Sequence, residues 1–115
     1  MHSAYAMAKL IGGHARNMGA HPMKKDEALT VLKSDLEKDA LQKEFYMAHV
    51  KGALLDEGDP AIPAESVPLA EGDHFVQIKA VSEGQVTLMD RDMERRVSRD
   101  LFLRALTGIV ISPNP

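Results

Sequence analysis

Cysteine and tryptophan are both absent from these 115 residues, and aromatic side chains are scarce, with two tyrosines and three phenylalanines. Without cysteine the chain has no disulfide, no thiolate zinc site and no sulfur nucleophile. No apolar run approaches the roughly 18 residues of a membrane-spanning helix. The opening Met1-His2-Ser3-Ala4-Tyr5 lacks the charged start and apolar core of a secretory signal. The expected location is therefore the cytoplasm, with no membrane span. A basic excess is missing too: 14 Lys and Arg stand against 17 Asp and Glu, for a net charge of -3. Nucleic acid needs a concentrated basic face, so none is expected as a partner.

What is present suits one compact domain. The apolar fraction is 44%, ordinary for a globular chain and too high for disorder. Charge is uneven along it. Residues 1–25 carry Lys9, Arg16, Lys24 and Lys25 and no acid, whereas residues 26–60 carry nine acids against four lysines. A basic first helix beside an acidic second one reads most simply as two elements that complement each other.

The pattern predicts a helix from Ala4 to about Met18, capped by Ser3, with Gly12-Gly13 inside it as a kink or close-packing point. Gly19 and Pro22 are read as its stop signals. A second helical region opens near Asp26, restarts at the capping box Ser34-Asp35-Leu36-Glu37, and keeps a helical period to about Leu55. Pro60, Pro63 and Pro68 make the following stretch a loop. Alternation then predicts strands at Phe75–Val81, Val86–Met89 and Glu94–Val97. Ser98 caps a short helix, Arg99 to Leu106, ended by Thr107-Gly108, and Ile109–Ile111 is a last strand. The expected fold class is α+β, with N-terminal helices packed on a small antiparallel sheet. As a single domain over 1–115 it divides into a helical region over 1–58, a loop over 59–73, and a sheet with a short helix over 74–112.

His74 opens one predicted strand and Asp90 closes the strand that pairs back on it, so a tight hairpin returns the carboxylate towards the imidazole. Such a carboxylate fixes the tautomer of a histidine and stabilises its cation, as a general base requires.

The stretch His74-Phe75-Val76, the Gly84 hairpin, Val86-Thr87-Leu88-Met89-Asp90, Arg95-Arg96-Val97-Ser98, Leu101-Phe102 and Thr107-Gly108 together resemble a known family. They are similar to the C-terminal half of the papain-like, bacteriocin-processing peptidase domain at the front of peptide-exporting ABC transporters. The resemblance covers about residues 70–112. It implies a papain-like fold, a place in bacterial peptide secretion, and a triad in which His74 and Asp90 complete a cysteine-centred site. The departures are specific. No cysteine stands at the first helix, only Met1 and His2 precede Ser3 where the family has an oxyanion-hole glutamine, and Arg91 replaces the proline after the aspartate.

Ser3 stands roughly where the cysteine would be. It reads either as a helix cap or as the nucleophile position, the latter as a natural serine or a cysteine-to-serine variant. The candidate catalytic residues are thus Ser3, His74 and Asp90, as vestiges unless the site is active. His2, His14, His21 and His49 show no metal-ligand spacing, and neither a metal nor a cofactor is expected. Arg91, Arg95, Arg96 and Arg99 alternate with Asp90, Asp92, Glu94 and Asp100 and read as a solvated salt-bridge face.

Three functional readings follow. The leading one is a catalytically inactive peptidase-like domain that binds a peptide or protein partner, through a cleft beside His74 and the loop 56–73. The second is a cysteine peptidase or amidase seen as a serine variant or a fragment. The third is a small α+β regulatory or interaction protein that forms a homodimer through a methionine-rich helical face.

Overall fold

The computed structural model describes residues 4–18, 21–41, 44–60, 62 and 72–113. In chain order the elements are α1 (Ala4–Ile11), β1 (Gly13–Asn17), α2 (Pro22–Lys38), β2 (Met47–Lys51), α3 (Gly52–Glu57), β3 (Asp73–Val81), β4 (Gln85–Asp90), β5 (Met93–Ser98), α4 (Arg99–Ala105) and β6 (Leu106–Pro113). The six strands form one antiparallel sheet in the order β1-β6-β2-β3-β4-β5. The class is α+β.

The N-terminal half departs most from the pattern of its sequence. The first helix stops at Ile11, because Gly12 turns the chain at φ 75° and the following residues leave as a strand. Gly13 must be glycine here: a Cβ would lie 2.6 Å from the Ser112 carbonyl oxygen of β6. Pro22 starts α2 instead of stopping α1, since the first turn of a helix needs no N–H from that position. The helix runs through Ser34 without a restart. It ends at Lys38, beyond which the Asp39 carboxylate accepts the Glu44 N–H at 3.0 Å and the Tyr46 hydroxyl at 3.1 Å.

Residues 47–51, expected to be helical, are β2. Ala48 and Val50 are fully buried while Met47 and His49 face the other way, a period of two that the neighbouring Leu54 and Leu55 disguised as a helical one. The stretch 1–58, expected to be the helical part of the chain, therefore supplies two of the six strands. The predicted helix terminator Thr107-Gly108 lies within β6, which begins directly after α4.

The later elements form where alternation and turn residues place them. Ser82–Gln85 turns β3 into β4, and Arg91-Asp92, both at positive φ, turn β4 into β5. Ser98 caps α4, its Oγ accepting the Leu101 N–H at 3.1 Å. One face of the sheet carries the core. Ala28, Leu29 and Leu32 of α2 pack with Val50, Val76, Ile78 and Val110, and Phe102 of α4 is wholly enclosed with them. Such burial is worth about 1.5–3 kcal/mol for each large side chain. No helix among the described residues is long and apolar enough to cross a membrane.

Candidate functional site

His74 is the second residue of β3 and lies on the face that also carries Val76 and Ile78, turned towards the helices. Asp90 ends β4 on the same face as Leu88. The hairpin brings the two together, with His74 Nε2 3.2 Å from Asp90 Oδ1. The other ring nitrogen, Nδ1, lies 3.3 Å from the Gly72 carbonyl oxygen. Both ring nitrogens thus face acceptors, a setting satisfied only when each carries a proton. The hydrogen bond to Asp90 accordingly raises the His74 pKa above its ordinary value, against the effect of burial and with help from the Gly72 carbonyl. The same hydrogen bond lowers the Asp90 pKa, with Arg95 adding to it and burial opposing.

Arg95 is the residue the sequence pattern misplaced. Expected on a solvated arginine face, it is only 8% exposed. Alternation along Met93-Glu94-Arg95-Arg96-Val97 sends it inward with Val97, whereas Glu94 and Arg96 face solvent. Its Nη1 donates to Asp90 Oδ2 at 2.8 Å and to Asp56 Oδ1 at 2.9 Å. Its Nη2 and Nε both donate to Asp59 Oδ2, at 2.8 and 3.1 Å. Three carboxylates meet this one guanidinium, and His74 in its cationic form adds a second positive charge beside Asp90. Asp59 and His74 bracket residues 60–73, so one network joins both ends of that segment. The period of two in β5 was the available signal for Arg95; nothing local marked Asp56 or Asp59, which lie 39 and 36 positions away from it.

His49, treated in the sequence as one of several unremarkable histidines, lies on the opposite face of the sheet. The Thr107 hydroxyl donates to the His49 carbonyl oxygen at 3.1 Å, so at 2.9 Å from His49 Nδ1 it acts as acceptor. Nδ1 therefore carries the proton and Nε2 the lone pair. Burial lowers the pKa of this ring, partly offset by Asp73, and Phe75 lies against it with ring centroids 4.8 Å apart. What each ring meets thus favours the neutral form of His49 on one face and the cation of His74 on the other.

Beside His49 the open face of the sheet holds a groove of about 300 Å³. Met47, Phe75 and Met89 of the sheet line it together with Ile11 and Phe45. Arg91 and Asp92 stand at the rim. This apolar groove is on the far side of the sheet from His74, so the expected cleft beside His74 and this hollow are different places. Of the loop 56–73, residues 61 and 63–71 lie outside the described residues. Ser3 and His2 lie outside them as well. His14 is in β1 and His21 precedes α2, both exposed. Among the described residues no three His, Asp or Glu side chains are grouped to hold a metal ion.

Compared with known proteins, the chain matches no protein-family model, no curated protein and no solved structure.

Proposed function

We propose that this chain is a catalytically inactive, papain-like domain that binds a peptide or protein segment. The reading rests on the resemblance of residues 70–112 to the bacteriocin-processing peptidases, and the observation that carries it is the bonding of His74. A general base needs a lone pair. An imidazolium that donates to Asp90 on one side and to the Gly72 carbonyl on the other has none. The chain also has no cysteine to activate. A histidine and aspartate kept for structure, in a frame without its nucleophile, describe a peptidase-like domain that holds its cargo without cutting it.

The surface that suits such cargo is the groove on the open face of the sheet. Two methionines and two phenylalanines offer adaptable apolar contact, and Gln77, Arg91 and Asp92 can bond a peptide backbone. The occupant is a peptide segment with one or two bulky apolar side chains. A fluorescently labelled double-glycine leader peptide titrated into the protein should bind saturably and remain intact by mass spectrometry. Met89→Glu, which places a charge in the groove lining, should weaken binding at least tenfold. Specific cleavage of the peptide, or affinity unchanged in Met89→Glu, would overturn the reading.

A further inference from the structure

We propose that the chain forms a symmetric dimer in which β5 pairs antiparallel with β5 of a second copy, joining two six-stranded sheets edge to edge. β5 is the last strand of the sheet, and among the described residues only β4 pairs with it. Its register with β4 is continuous, without a bulge, and it contains no proline. Of the devices that keep a sheet edge single, a bulge and a proline are therefore missing from this strand, and its charges remain.

The direction of the free backbone groups follows from the turn. A two-residue loop with both residues at positive φ closes on a mutually hydrogen-bonded pair, here Asp90 and Met93. Bonding to β4 then recurs at Arg95 and Val97. Beyond the strand it recurs at Arg99, whose N–H meets the Gly84 carbonyl at 3.1 Å. Glu94, Arg96 and Ser98, all exposed, consequently turn their N–H and C=O groups towards the open edge.

Charge then selects one register. With the two-fold axis at Arg95, Glu94 lies opposite Arg96 of the second copy and Arg96 opposite its Glu94, and these are the very residues whose backbone groups point outward. Moving the axis to Glu94 or to Arg96 would set two exposed like charges directly opposite each other, which is unfavourable, whereas the Arg95 pair at the chosen axis is already neutralised by carboxylates. At the axis the two Arg95 side chains turn to the core side, each already held by Asp56, Asp59 and Asp90. On that side Met93, 64% exposed in the single chain, comes opposite Val97 of the second copy. Backbone phase, charge pattern and exposed methionine agree on one isologous pairing.

Sedimentation over a micromolar-to-millimolar range tests this. The wild-type chain should shift from monomer to dimer mass with rising concentration. Glu94→Arg and Arg96→Glu, both at exposed positions, should each weaken association about tenfold or more while circular dichroism stays unchanged. An equimolar mixture of those two variants restores opposite charges across the edge and should dimerise, as should the double swap E94R/R96E. A wild-type chain that stays monomeric overturns the proposal. So does a dimer indifferent to the single reversals, or a mixture and double swap that fail to recover.

Discussion

Arg95 shows how one side chain can decide the local electrostatics of a fold. It is enclosed with Asp56, Asp59 and Asp90, and its removal would take from all three carboxylates the cation that they share. Breaking a buried ion network by deleting one partner costs about 3–5 kcal/mol, because the remaining charges stay desolvated. Arg95→Met should therefore lower stability by about that amount in a urea titration, far more than Arg96→Met, whose side chain is 66% exposed and meets Glu94 at a long 3.8 Å. Equal effects of the two substitutions would contradict the network. The residue types were visible in the sequence, as was the inward phase of Arg95 along its strand. The identity of its partners was not, because Asp56 and Asp59 reach it only after α3 has packed against α4.

Among the elements, the contrast between the two halves of the chain has a common cause. β3, β4 and β5 are joined by short turns, so each strand finds its partner among residues a few positions away, and alternation with turn residues suffices to place them. β1 and β2 have no such neighbour. Their partners are β6 and β3, far along the chain, and a five-residue segment such as Gly13-His14-Ala15-Arg16-Asn17 carries little pattern of its own. Apolar residues at Tyr5, Ala8, Ile11 and Ala15 match a helical stripe equally well, and only pairing with β6 makes the second half extended. The junction depends on Gly13. Replacement by alanine would drive a Cβ into the Ser112 carbonyl, so Gly13→Ala should separate β1 from β6 and cost about 1–3 kcal/mol. Amide hydrogen exchange should show the loss first in β1 and the end of β6. Undiminished protection there would argue against the close approach.

For the whole molecule, the ion network makes stability depend on pH. His74 has a pKa raised in the folded state, so its contribution is fully present below the unfolded value near 6.5 and is lost as pH rises through the higher folded value. Asp90 is the opposite case: its pKa is lowered on folding, so its contribution is present above the unfolded value near 3.8 and is lost as pH falls through the lower folded one. The contribution of this pair should therefore be greatest on the mildly acidic side, falling towards both alkaline and strongly acidic conditions. His74→Gln should be less stable than the parent at pH 6, with the difference shrinking as pH rises through the raised pKa of the folded ring. A difference that stays constant with pH would show that the ring is not held as its cation. His49 on the other face acts in the opposite sense: burial lowers its pKa, so its contribution is present above the unfolded value near 6.5 and is lost as pH falls through the lower folded one.

Composition and spacing alone determined that this chain lacks sulfur chemistry, and they located the hairpin that joins His74 to Asp90 across sixteen positions. Both depend on residue identity or on contacts between neighbours in the chain, where loop closure is short and the geometry nearly forced. Tertiary structure decided that Gly13–Asn17 and Met47–Lys51 are strands, that Arg95 is buried among distant aspartates, and that Met47, Phe75 and Met89 share a groove on the side away from His74. Those outcomes depend on which surfaces lose water together, and that is settled only when segments remote in sequence meet.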